Sequence, residues 1–238
     1  MGDYDPDNVV YVPEIFYRGE GGMNIGLVDA LDGIDVGGER TVAIPGWLNS
    51  PVEYDTEEEY LQNVTGTSGV YTLKLREQIS DISAWELDSL CNHIKRHYGM
   101  ERTDSLKYGF YYRRTAAPTS EEEFAADTSI EISYVGRLLN GKVFDTNIKD
   151  TAILYGLYSS STTYGTSSFT VAEDYTESTL ESSTTIDGFS YMISHMHPGE
   201  SGSAFFVSSL GYTSSGSGDI IPPYSPLQFD IQIAVEDD

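Results

Sequence analysis

The heptapeptide LQFDIQI at residues 227–233 limits the possible folds more than any other stretch. Phe229, Ile231, Ile233 and Val235 alternate with Gln228, Asp230, Gln232 and Ala234. That is the period of a strand with one buried face. Immediately before it stands GDIIPPYSP. Proline fixes φ and removes an N–H, so Pro222 and Pro223 are not ordinary ladder members. The sequence therefore predicts a rigid apolar turn held just outside a sheet.

Two segments share a layout. In NIGLVDALDGIDVGGERTVAIPGWL (24–48), Leu27, Ala30, Leu31 and Ile34 fall at i, i+3, i+4 and i+7. In IDGFSYMISHMHPGESGSAFFVSSLGY (186–212), Phe189, Met192, Ile193 and Met196 do the same. Each predicts a short amphipathic helix between two glycines, Gly26 to Gly37 and Gly188 to Gly199. A strand follows each helix, RTVAI or SAFFV, and a later alternating strand closes each copy, VYTLKL (70–75) or LQFDIQI. The layout predicts one helix-in-sheet unit used twice.

Between the copies, Ser83 and Glu86 have capping-box spacing, Leu87, Leu90 and Ile94 form a stripe, and Gly99 is a stop signal. Residues 83–98 are expected to be a linking helix. YGFYYRRT (108–115) and TSIEISYVGRLL (128–139) read as strands, the second with Ile130, Ile132 and Tyr134 on one side. Asn140-Gly141 is a tight-turn signal. The Ser-, Thr-, Tyr- and Gly-rich stretch 151–185 is either a decorated loop or a surface strand pair.

The net charge of −25 repels phosphate backbones and anionic membrane surfaces, so no nucleic-acid partner is expected. The single cysteine, Cys91, allows no intramolecular disulfide. No apolar run is long enough for a transmembrane segment. MGDYDPDN carries no signal peptide, and a leader is expected upstream of it. Scarce lysine with abundant Ser, Thr, Tyr and Gly suits an exported envelope protein. His93 and His97 at i and i+4 could share a metal, but without further ligands nearby they read as a solvated helix face. Asp3, Asp5, Asp7 and Glu14 have calcium-loop spacing but lack the central glycine. No metal, cofactor or nucleophilic triad is expected.

Three blocks carry a family resemblance. YVGRLLNGKVFDTN (134–147), IDGFSYMISHMHPGE (186–200) and LGYTSSGSGDIIPPYSPLQFDIQI (210–233) resemble, in order, the strand–turn–strand, the single helix, and the flap, Ile-Ile-Pro-Pro and final strand of FK506-binding-protein (FKBP)-type peptidyl-prolyl cis-trans isomerases. The resemblance implies an α+β fold, a twisted antiparallel sheet wrapped around a short helix, with an apolar pocket between them. It implies that Tyr134, Phe144 and Asp145 form one pocket wall and that the Ile186 N–H faces a ligand carbonyl. Phe189 stands at the floor where the family usually has tryptophan. Tyr212 is the flap tyrosine that donates to substrate, Ile221 the rim, and Phe229 a strand residue closing the pocket. Phe169 is a further aromatic candidate, although the enlarged 148–183 insertion leaves its alignment open. Singly, Phe144, Phe189 and Phe229 read as core; Tyr212, in a Gly/Ser flap, has no packing reason to be there.

The first copy has Tyr71 at the last pocket position but lacks Ile-Ile-Pro-Pro and a flap tyrosine, with NSPVEYDTEEEYLQN in their place. The expected organisation is a degenerate or truncated FKBP-like domain at 1–82, a linking helix at 83–104, and an FKBP-like domain at 105–238. The function implied is isomerisation of X–Pro bonds in exported proteins of the periplasm or of a lipoprotein-bearing envelope. A non-catalytic binding or chaperone module of the same fold is the alternative. Proline-containing proteins or peptides are the implied substrates, and binding of FK506-like macrolides is left open.

Overall fold

The computed structural model describes residues 24–50, 54–63, 67–218 and 220–235. The acidic Asp3, Asp5, Asp7 and Glu14 lie outside them. The chain divides into two units, Met1–Ser80 and Asp81–Asp238.

In the first unit, helix α1 (Ile25–Leu31) starts at Asn24, whose side chain accepts the Leu27 N–H. The helix ends before Ile34, because Asp32 is extended and Gly33 turns through φ +70°. Strand β1 (Glu39–Ile44) pairs antiparallel with β2 (Gly69–Lys74). Between them lies α2 (Glu57–Asn63), which buries none of its residues.

The second unit opens with α3 (Ile82–Tyr98), followed by β3 (Ser105–Lys107), β4 (Phe110–Ala116), β5 (Ser129–Leu138) and β6 (Val143–Thr146). Then come α4 (Lys149–Leu154), β7 (Ser167–Thr170), β8 (Thr179–Leu180), β9 (Ser183–Thr184), α5 (Asp187–Ile193), β10 (Ser201–Phe206) and β11 (Leu227–Ile233). The strands make one antiparallel sheet in the order β3-β4-β10-β11-β5-β7-β8-β9, with β6 on β5. Stretch 151–185 is thus neither loop nor simple strand pair. It supplies most of α4, then extends the sheet through β7, whose Phe169 lies opposite Ile130.

Strand β10 explains the layering. Its period places Phe206 on one face and Phe205 on the other, and both are fully buried. Phe206 joins the core around α5, with Phe189, Met192, Ile193, Ile132, Tyr134 and Phe229. Phe205 faces a second cluster with Tyr111, Val207 and the α3 stripe Leu87, Leu90 and Ile94. Helix α3 therefore belongs to the second unit, because its apolar stripe has the outer sheet face to cover. Its cap also differs from expectation: Asp81, not Ser83, caps it by accepting the Ala84 N–H, and Glu86 is buried elsewhere. Gly99 closes the helix in the left-handed conformation at φ +69°, as its position in the sequence predicts.

The two units share local geometry. Helices α1 and α5 each span 7 residues. In each copy the strand begins fourteen residues after the helix does and runs for 6 residues. The second helical residue is glycine in both, packed on the last residue of the following strand. A Cβ on Gly26 would meet Ile44 at 2.3 Å, and one on Gly188 would meet Phe206 at 2.5 Å. Across the closing strands, Tyr71 pairs with Val42 and Phe229 with Ala204, the same register position in each copy.

Candidate functional site

The core around α5 contains a set of rings converging from different elements. Strand β5 supplies Tyr134, β6 supplies Phe144 and Asp145, the first turn of α5 supplies Phe189, and β11 supplies Phe229. Tyr134 meets Phe189 edge-on with centroids 5.6 Å apart, and Phe189 meets Phe229 edge-on at 5.1 Å. Phe144 packs on Phe229 at 5.5 Å, and Phe169 touches Phe189 at 6.1 Å. These are the favoured offsets for aromatic quadrupoles. Gly136 makes room for them, since a Cβ there would stand 2.7 Å from Phe144 and 2.8 Å from Phe229.

Tyr134, Phe189, Ile221 and Phe229 are buried, Phe144, Ile186 and Tyr212 are half-buried, and Asp145 is exposed. All but Asp145 are in, or packed against, this core. Asp145 is tied to it by the Tyr134 hydroxyl, which donates to Asp145 Oδ2 at 3.0 Å. Burial, then the Asp145 charge, raises the Tyr134 hydroxyl above the ordinary tyrosine pKa. Burial and then Asp145 also raise the Tyr212 pKa. Both phenols therefore stay protonated donors at neutral pH.

Two donors at this site have no partner among the described residues. The Tyr212 hydroxyl and the Ile186 N–H, which precedes α5, have no protein acceptor there. Half-buried donors of this kind favour an incoming carbonyl oxygen over continued partial desolvation.

The flap carrying Tyr212 is clasped to the rim. Ser217 N–H donates to the Ile221 carbonyl at 2.9 Å, and Ile221 N–H donates back at 3.1 Å. Gly216, at φ +64°, lies under this clasp; a Cβ there would stand 2.2 Å from the Ile221 oxygen. The Pro222–Pro223 turn backs directly onto it. Of the isoleucine pair, Ile221 faces inward and Ile220 is 42% exposed.

Sequence reasoning assigned no role to Thr146 and Asn147, although both are buried. Asn147 donates to the Ile132 carbonyl and accepts the Tyr134 N–H at 2.9 Å, while Thr146 donates to the Tyr134 carbonyl at 2.7 Å. Together they fix the β5 backbone under Tyr134. The available signal was two small polar residues directly after Phe-Asp, where an ordinary edge strand would turn to solvent. Glu200, after the helix, is likewise buried and takes hydrogen bonds from Tyr112, Arg114 and His197.

Away from this site, the His93 and His97 rings lie 4.6 Å apart. His93 is not on a solvated face; it leans on Tyr98 and Phe205, and burial, then His97 and Arg96, lower its pKa. No group of three or more His, Cys, Asp or Glu side chains suited to a metal occurs among the described residues. Nor is any helix among them long and apolar enough to cross a membrane.

Comparison with known proteins places this geometry. The family FKBP-type peptidyl-prolyl cis-trans isomerase matches residues 120–234. A macrophage infectivity potentiator of Trypanosoma cruzi is 28% identical over 128 residues, covering 54% of this chain and 53% of that protein. The chain thus spans about half the length of that curated relative. Among solved structures, a peptidyl-prolyl cis-trans isomerase from Pseudomonas syringae pv. tomato aligns at 20% identity and TM-score 0.45, over 67% of this chain and 96% of the other. FkpA from Escherichia coli aligns at 18% identity and TM-score 0.44, over 64% and 58%. Over residues 120–234, just under half of its length, the chain is similar to the FKBP-type peptidyl-prolyl cis-trans isomerase family.

Proposed function

We propose that the second unit catalyses cis–trans isomerisation of X–Pro bonds in protein or peptide substrates, at the ring-lined site of Tyr134, Phe144, Asp145, Ile186, Phe189, Tyr212, Ile221 and Phe229. The carrying observation is the pairing of two unsatisfied donors, Tyr212 Oη–H and Ile186 N–H, with one aromatic cluster. Twisting a peptide bond has a barrier of about 18–20 kcal/mol, because resonance is lost. The X–Pro form exchanges over tens to hundreds of seconds. A twisted amide carries less charge on its oxygen, so water stabilises it less than the planar form. Apolar rings that replace this water favour the twisted state, and the two donors hold the flanking carbonyls while it turns. Asp145 shapes the wall through Tyr134 rather than moving a proton.

The family match over residues 120–234 and the similarity to the macrophage infectivity potentiator support the isomerase reading. Scarce lysine with abundant Ser, Thr, Tyr and Gly supports exported envelope proteins as substrates and an envelope location. FK506-like macrolides would enter the same site. We further propose that residues 1–80 are a degenerate copy of this fold without isomerase activity, supported by the matched α1–β1 and α5–β10 spacing, and that the second unit, 81–238, is the functional domain: the FKBP-like stretch 105–238 with its insertion at 148–183, together with helix α3.

The test is refolding of a proline-limited substrate by the full chain. The expected outcome is catalysis that Tyr212→Phe lowers by about tenfold, the net worth of one hydrogen bond, with unchanged thermal stability. A wild-type rate equal to the spontaneous one sinks the enzymatic reading and favours the binding module.

A further inference from the structure

Helix α3 lies outside the family-matched residues, yet one of its side chains reaches the flap. Glu86 is 4% exposed, a rare state for a carboxylate. Its Oε1 accepts the Ser208 N–H, and its Oε2 accepts the Ser208 hydroxyl at 2.9 Å. Ser208 opens the short 3-10 turn Ser208–Leu210 that leads into Tyr212. Its carbonyl accepts from both Gly211 N–H and Thr213 N–H, each at 2.8 Å. The two residues flanking Tyr212 are therefore tied through their N–H groups to one residue, and that residue is tied to Glu86.

The flap needs such an anchor. Thr213 and Tyr224 sit at φ +54° and +55°, in the left-handed region that non-glycine residues avoid. They are joined by Tyr224 N–H donating to the Thr213 carbonyl at 2.9 Å. Strain of this kind persists only where surrounding contacts over-determine it. On one side the flap lacks packing support, because a cleft of about 300 Å³ opens beside the anchor, lined by Glu86, Tyr108, Ser208, Thr213 and Tyr224 among others.

We propose that Glu86 is a positioning residue for the prolyl site, through which helix α3 sets the flap that presents Tyr212. The inference rests on the isomerase reading for its consequence, but not for the anchor itself. Glu86 touches no substrate; it acts through Ser208.

The experiment uses the full chain and three variants, Glu86→Ala, Glu86→Gln and Ser208→Ala. Amide hydrogen exchange is followed at Gly211 and Thr213, with α5 and β11 as internal references, alongside kcat/KM on a prolyl peptide. In Glu86→Ala, flap exchange rises and kcat/KM falls, each by about tenfold, while the references stay protected. Glutamine can accept the Ser208 N–H and donate to its hydroxyl, so Glu86→Gln keeps both values close to wild type. Should Glu86→Ala not fold, Ser208→Ala removes one of the two hydrogen bonds and raises flap exchange by itself. Added to Tyr212→Phe, Glu86→Ala lowers kcat/KM little further, since both act through the same hydroxyl. Unchanged exchange at Gly211 and Thr213 in the alanine variants, or fully multiplicative losses in the double variant, overturns the proposal. An inactive wild type overturns the isomerase reading alone, because the exchange measurement still decides the anchor.

Discussion

Glu200 shows how one buried charge is held after the α5 helix. Burial pushes its pKa up, but hydrogen bonds from Tyr112, Arg114 and His197 outweigh that and hold it below the ordinary value of 4.5. A depressed carboxylate stabilises the fold above its unfolded pKa, and the contribution disappears as pH falls through the folded value. The window for this loss therefore lies below 4.5. Glu200→Ala is expected to cost about 3 kcal/mol at neutral pH by stranding its buried partners. Glu200→Gln should flatten the acid limb of stability; a denaturant titration from pH 3 to 7 checks both. At this scale the site was legible where chemistry is written in side-chain type. Tyr212 stood out because nothing in a Gly/Ser flap needs a phenol. Glu86 was misread because its spacing from Ser83 satisfied a capping rule, whereas its partner, Ser208, lies 122 residues away.

Among the elements, the flap and the Ile-Ile-Pro-Pro turn act as one piece. The Ser217–Ile221 clasp closes only because Gly216 leaves space beneath it. Gly216→Ala combines a positive φ with a 2.2 Å approach to backbone oxygen, so the loop must shift. The expected cost is about 1–3 kcal/mol of local stability. Flap amide exchange should rise and kcat/KM should fall, while far-UV circular dichroism stays unchanged; a fully active variant would show that the clasp does not position Tyr212. Alternation and amphipathic spacing were enough to read β5, β11 and α5, because each has one apolar face and a clear period. They were not enough for stretch 151–185, where polar residues carry no period and pairing with the start of β5 decides the structure.

For the whole molecule, the unit boundary falls between Ser80 and Asp81, ahead of α3. Residues 81–238 should therefore fold alone. Residues 105–238 should not fold as well, since losing α3 uncovers Tyr111, Phe205 and Val207, all at most 3% exposed. Re-exposing three such side chains costs on the order of 5 kcal/mol. Chemical denaturation of the two fragments checks this, and equal stability would mean that α3 only rests on the sheet. By itself, the sequence determined the period of the strands, the amphipathic helices and the turn glycines, because these follow from local spacing and residue type; the ring residues of the candidate site were legible only through the family resemblance. Only the tertiary structure decided which face α3 covers, where Glu86 finds its partner, and how Ser208 holds Tyr212. Those depend on contacts between residues far apart in the chain, and no local pattern encodes them.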